Sequence, residues 1–446
     1  MKIITIFSRN KLFKCLIILL CILYFLMFGY LCLFVFREVT IETRTENPHH
    51  STEISNLTQF LEQCFGTRVL SYTLKPLTKL GDSFGGVLHF VDIKLAAQND
   101  SDQNVDLQLV VKTPITRQIS VKNPIVSLIR EIHFYSYIIP AVEQFERMSN
   151  ISQADRLNAF FRYYGSRTSL KSDTDHEDFN ALLLLENVKL QNYVNGNKYV
   201  GFEKEETFAV LKVMAKFHAL CIAMRLQQPE LFNTAVRPYL PLLNATPHDQ
   251  RLKILCDELR HVDNMSPKMF RRVVNTLKIG VKFIKSRNCG TDTPYKTIGN
   301  KDFWINNIML KKDVNPIKVK IYDFQLSSYD SFALDLVFFL FTSIQNDVLK
   351  TNFKSFIAYY HTEFIHTMNT VDLPLHDYTY EKMWQEIRVK GKYRFYSMLQ
   401  RAKISKADPT PINTTEHMAI YMKPARKAIL DQWKFIIDMF FENGLI

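Results

Sequence analysis

The chain has 446 residues, of which 47% are hydrophobic and 13% aromatic, with only 13 glycines and 16 prolines; that is enough apolar mass for a large core, and it excludes a disordered or solenoid protein. Lysine and arginine outnumber aspartate and glutamate 56 to 44, a net charge of +12 that suits an anionic ligand, an acidic membrane surface or nucleic acid, although the basic residues are scattered. Three of the seven cysteines (Cys15, Cys21, Cys32) lie in an apolar segment, and Cys64, Cys221, Cys256 and Cys289 are far apart without CxxC spacing, which excludes a zinc site and a dense disulfide framework.

Residues 1–14 form a basic flank with Lys2, Arg9, Lys11 and Lys14, and residues 15–36 are uncharged and long enough to cross a bilayer as a helix. The far flank mixes Arg37 and Arg44 with Glu38, Glu42 and Glu46, so the positive-inside rule expects a cytosolic N-terminus and a single-pass membrane protein with its body outside the cytosol. The exit at Phe34–Arg37 lacks the small residues of a signal cleavage site, which favours an anchor over a cleaved leader. If the start of the chain is misassigned, the body is cytoplasmic instead. Residues 37–55 are polar and are expected to be a linker.

Leu70–Leu80 and Val87–Leu95 read as strands around the turn Gly81-Asp-Ser-Phe-Gly85-Gly86, where glycine lets backbone amides approach an anion; a plain hairpin turn explains this stretch equally well. Leu107–Lys112 is an apolar strand ending on a lysine that must face out of the sheet or find an anion. Ile125–Ile139 has helical spacing, with Leu128, Ile132, Tyr135, Ile138 and Ile139 on one stripe, Glu131 beside it, and Pro140 as the expected stop. A strand lysine followed by a helix glutamate is the arrangement that holds nucleotide phosphates in kinases; the bland alternative is an edge lysine and a solvated glutamate. Ala181–Leu185 is a further strand, and Glu186–Asn187 after it is placed to connect two lobes and to offer backbone groups to an adenine. Glu203–Arg225 reads as an amphipathic helix, with His218 expected to be a buried structural histidine.

The stretch Lys301–Phe324 carries the chemistry. Two short apolar runs, Ile308–Leu310 and Val319–Tyr322, flank the turn-prone Lys312–Pro316 and predict a hairpin that brings Asn307 at its entry beside Asp323 at its exit. Paired oxygen ligands suit a hard cation such as Mg2+, and Asp302, five residues before Asn307, has the spacing of a kinase base that accepts a hydroxyl proton. Ala333–Phe341 is an apolar helix whose Asp335 either braces the loop backbone or serves as N-terminal helix charge. The basic cluster Arg388, Lys390, Lys392, Arg394 and Arg401 reads as the solvated face of a C-terminal helix, with a phosphate-tracking surface as the alternative.

Taken together, Asp-Phe-Trp-x-Asn-Asn-Ile-Met, Ile-Tyr-Asp-Phe-Gln-Leu-Ser, Ala-Leu-Asp-Leu-x-Phe-Phe-Leu-Phe, Arg130-Glu-Ile-x-Phe-Tyr and Ala215-Lys-Phe-His218-Ala resemble the ecdysteroid kinase-like (CHK kinase-like) family, relatives of choline kinases and aminoglycoside phosphotransferases. The resemblance implies an α+β, protein-kinase-like two-lobed fold with a small β-rich N-lobe (56–186) and a larger helical C-lobe (187–446), preceded here by the N-terminal transmembrane helix. It implies ATP and Mg2+ as cofactors and a small-molecule alcohol, ecdysteroids being the best-known case, as acceptor, with no nucleic-acid partner. By carry-over, Asp302 is the catalytic base, Asn307 and Asp323 are the metal ligands, and Lys112, Glu131, Gly85 and Gly86 hold the nucleotide. Where the family has His-Gly-Asp, this chain has Asn300-Lys301-Asp302, so a lysine beside the base is expected to pair with Asp302 or a phosphate. The competing expectation is a membrane-tethered pseudokinase that binds nucleotide or ligand without efficient turnover.

Overall fold

The structure, a computed structural model, describes residues 54–77, 86–97, 103–114, 128–171, 178–240, 249–286, 293–406 and 423–446. The expected transmembrane helix at 15–36, most of the linker, and the glycine turn up to and including Gly85 lie outside the described residues.

Alternating apolar residues build a five-stranded antiparallel sheet from β1 (Val69–Pro76), β2 (Val87–Leu95), β3 (Val105–Thr113), β4 (Tyr163–Arg167) and β5 (Leu182–Glu186), in the order β1-β2-β3-β5-β4. Val91, Ile93, Leu109, Val111, Leu182 and Leu184 bury one face against α1 (Leu57–Phe65). The period of two then turns Lys112, paired with Leu88 and Leu183, to the other face. There it meets α2 (Leu128–His133), which passes through a π-helical turn at Phe134–Ile138 into α3 (Ile139–Met148). Pro140 therefore does not stop the helix. The π turn shifts the hydrogen-bond register, so the proline falls in the first turn of α3, where its missing N–H costs nothing.

The remainder is a helical lobe. Its central helix α4 (Lys204–Gln227) starts on a reciprocal capping box between Glu203 and Glu206. The expected amphipathy does not persist: Phe217 to Met224 are all buried, because α9, introduced below, crosses this helix and β7 packs beneath it. Among the described residues it alone is long and apolar enough to cross a membrane, and its apolar stretch is mostly buried in the core. Three helices follow, α5 (Pro229–Ala235), α6 (Asp249–Glu258) and α7 (Pro267–Lys285). Two small antiparallel sheets carry the chemistry-bearing loops: β7 (Lys296–Gly299) with β10 (Ser328–Ser331), and β6 (Val194–Asn195) with the hairpin β8 (Ile308–Lys311) and β9 (Lys318–Ile321). The buried apolar α8 (Ala333–Ser343), then α9 (Asn346–Thr370), α10 (Tyr380–Lys390), α11 (Phe395–Ser405) and α12 (Lys427–Glu442) complete the lobe.

Candidate active site

Lys112 and Glu131 are both almost fully buried, and Lys112 Nζ lies 2.5 Å from Glu131 Oε2 and 3.3 Å from Asp323 Oδ1. Burial disfavours the ammonium, but Asp323 and Glu131 more than offset this and hold the lysine pKa above its ordinary value. A charged lysine thus ties the sheet lobe to the loop after β9. Phe324 secures the same junction by stacking on Phe134 of the π turn, with centroids 3.7 Å apart. Gly86 sits directly against this lysine. A Cβ there would stand 2.6 Å from the Thr113 carbonyl oxygen and 3.0 Å from Lys112 Cγ, so only glycine fits the approach.

The hairpin closes as its sequence requires, with Ile308 opposite Ile321 and the Tyr322 N–H donating to the Asn307 carbonyl at 3.1 Å. Asn307 and Asp323 therefore share one end of it. Asn307 Nδ2 donates to Asp302, 2.9 Å to the carbonyl and 3.2 Å to Oδ2, which leaves the amide oxygen as the atom for a cation. Asp323 adopts a left-handed backbone (φ 63°), as does Lys301 (φ 60°).

The loop before Asp302 is braced from below. Asp335, 1% exposed, accepts the backbone N–H of Asn300 at 2.6 Å and of Lys301 at 2.9 Å, which selects bracing over helix charge for this residue. His218 is buried and structural as expected: Nδ1 lies 2.8 Å from the Tyr360 hydroxyl and Nε2 3.6 Å from Asp335 Oδ2. Lys301 pairs with neither Asp302 nor an open anion site. Its left-handed backbone sends Nζ to Asp330 Oδ2, 3.0 Å away, and over the Phe283 ring.

The largest correction concerns the basic cluster. Arg394 and Lys390 are buried, and α11 presses the inner arginines onto the loop rather than into solvent. Arg401 pairs with Asp302 Oδ1 and lies over Trp304, 4.2 Å from the ring centroid. Arg394 donates to the Lys301 carbonyl at 2.7 Å and lies 4.0 Å from the Phe338 centroid; burial lowers its pKa to about 10, so it stays charged at neutral pH. Burial raises the Asp302 carboxyl pKa, with Arg401 opposing that shift. Aromatic residues interleaved with these arginines, Tyr393, Phe395 and Tyr396, were the available sign that this segment is inward-facing.

The family model for the ecdysteroid kinase-like family matches residues 80–373. The chain belongs to this family. Solved structures similar to this ecdysteroid kinase-like protein include a microcompartment-associated aminopropanol kinase (9% identity, TM-score 0.40, covering 87% of this chain and 99% of that one). Others are the Plasmodium vivax ethanolamine kinase Pv091845 (9%, 0.35, 84% and 85%) and the GDP complex of wild-type aminoglycoside 2'-phosphotransferase-IIIa (13%, 0.34, 82% and 96%). No curated protein matches the sequence. The fold is accordingly kinase-like, a β-sheet N-lobe on a helical C-lobe. Arg401 lies beyond the matched residues, so the ecdysteroid kinase-like protein draws part of this site from its C-terminal helices.

Replacing Arg401 by Met keeps a stem over Trp304 but removes a charged hydrogen bond of about 1.5–3 kcal/mol. The expected result is a fall in phosphate transfer from ATP of about 10- to 100-fold with nucleotide affinity unchanged, read by phosphate release and calorimetry.

Proposed function

We propose that this protein is an ATP-dependent small-molecule kinase that phosphorylates a hydroxyl of a sterol-like or other small alcohol. The observation that carries this reading is the buried Lys112 ammonium held between Glu131 and Asp323, since a cation kept charged there needs an anion such as a nucleotide phosphate when Asp323 turns to a metal. Lys112 would face the phosphates, oriented by Glu131, with Gly86 allowing close backbone approach and Gly85 adjoining it. The strand end Glu186–Asn187 would offer backbone groups to the adenine, beside a small apolar cluster of Val188, Tyr193 and Met309.

The residues present fit Mg2+: Asn307 has its amide oxygen left over and Asp323 supplies a carboxylate, an all-oxygen donor set that phosphates and water complete. When bound, the metal neutralises charge on the phosphate oxygens. Asp302 accepts the acceptor's hydroxyl proton as its oxygen bonds to the γ-phosphorus and the bond to the departing ADP oxygen breaks. Both Asp302 oxygens carry one hydrogen bond already, to Arg401 and Asn307, and each keeps a further lone pair for the acceptor. Catalysis of this kind is chiefly positioning and charge neutralisation.

Calorimetry with ATP in the presence of Mg2+, followed by a phosphorylation screen of a metabolite extract, tests the reading. Micromolar Mg-ATP binding and a phosphorylated alcohol are expected, and a folded protein that binds no Mg-ATP would refute it. The left-handed Lys301 and the missing loop histidine favour a second reading, a tethered pseudokinase. Binding without turnover, reversed by Asn300→His with Lys301→Gly, would support that alternative. The anchor at 15–36 belongs to either reading; digestion of the body by protease added to sealed microsomes would place it on the cytosolic side.

A further inference from the structure

Asn300 is fully buried, and its carboxamide joins the two loops that hold Asp302 and Asp323. Oδ1 accepts the backbone N–H of Asp302 at 2.9 Å, and Nδ2 donates to the backbone carbonyl of Asp323 at 3.2 Å. Its own backbone N–H is fixed by Asp335 at 2.6 Å, so the fork that bridges the loops is anchored at its base. A carboxamide taken out of water is costly unless both ends are paired, and here each end is paired with the main chain of a different candidate site residue. If space-filling were its only task, a leucine of similar volume would serve without that cost. Asp323, moreover, stands in the left-handed region, which a non-glycine residue holds only when its surroundings define it, and the Asn300 amide supplies one of those restraints.

We propose that Asn300 is a positioning residue that sets the backbone of the metal-ligand candidate Asp323 against that of the base candidate Asp302, so that an amide maintains the phosphotransfer geometry where related kinases carry a histidine. This rests on the kinase reading above. Asn300 touches neither phosphate nor acceptor; it acts through Asp323.

The test is calorimetric titration of the full chain with ATP, once with Mg2+ and once with EDTA. In the wild type Mg2+ is expected to tighten ATP binding. Asn300→Leu removes both amide bonds, and Asn300→Asp removes only the donor to the Asp323 carbonyl. Each is expected to reduce the Mg2+-dependent tightening tenfold or more while metal-free ATP affinity stays within about twofold, because Lys112 is untouched. Asn300→His, which retains an N–H donor, is expected to restore most of the tightening. If Asn300→Leu fails to fold, Asn300→Asp decides, since it keeps the acceptor for the Asp302 N–H. Wild-type Mg2+ tightening in a folded Asn300→Asp protein would overturn the inference alone. A wild-type chain with no Mg2+ effect would overturn the kinase reading and this inference with it, so the two failures are distinguishable.

Discussion

Asp302→Asn is expected to lower phosphoryl transfer by about 10²- to 10⁴-fold while leaving Mg-ATP affinity within a few-fold of wild type. The substitution keeps the volume and the hydrogen bond from the backbone of Asn300's loop, but an amide cannot accept the proton of an attacking hydroxyl. It also breaks the ion pair with Arg401, whose guanidinium then has no counter-charge in a partly buried site. Asp323→Asn should behave differently. Asp323 contacts the Lys112 ammonium directly and is the only carboxylate in the proposed metal pair, so its loss should weaken Mg-dependent nucleotide binding as well as turnover. Calorimetry and phosphate release on the two variants side by side check this: equal nucleotide affinity in both, or unchanged turnover in either, would contradict the assigned roles.

The second large effect is expected at Asp335, which never meets substrate. Asp335→Ala strips the acceptor from two backbone N–H groups, those of Asn300 and Lys301, in a region closed to water, and opens a cavity beside His218. Each buried donor left unpaired costs about 1–3 kcal/mol, so the expected destabilisation is about 2–5 kcal/mol. It should appear as a lower thermal midpoint. Because the freed segment carries Asp302 and Asn307, turnover should fall below detection even where the protein remains folded, and Asp335→Asn, which retains one acceptor oxygen, should lie between the two. A thermal midpoint equal to wild type for Asp335→Ala would show that the brace does not bear the loop.

Much of this site was legible because its pieces are local. The turn-prone residues Lys312–Pro316 between two apolar runs suffice to return the chain on itself, and the return places Asn307 beside Asp323 whatever surrounds them. Likewise the alternation in Leu107–Lys112 buries Val111 on one face and so directs Lys112 to the other, and helical spacing puts Glu131 on a helix that needs a face to cover. Where a pattern has two physical outcomes it misleads. Pro140 ends a regular helix, yet a π turn lets one pass. A row of arginines and lysines is usually solvated, yet guanidinium planes stacked on Trp304 and Phe338 and paired with Asp302 are stable inside. For Lys301, composition offered a phosphate or Asp302 as partner, whereas the left-handed backbone delivers its ammonium to Asp330.

By itself, then, the sequence determined the strands, the hairpin and the identity of the groups able to do phosphoryl-transfer chemistry, since turn chemistry and periodicity act over a few residues. Only the tertiary structure decided which of those groups meet. Lys112 reaches Asp323 across 211 positions and Arg401 reaches Asp302 across 99, distances over which no periodicity carries information. Those pairings follow from burial: a charge enclosed by the packed lobes must be matched by the nearest opposite charge, and the packing of α2 and α11 selects which one that is.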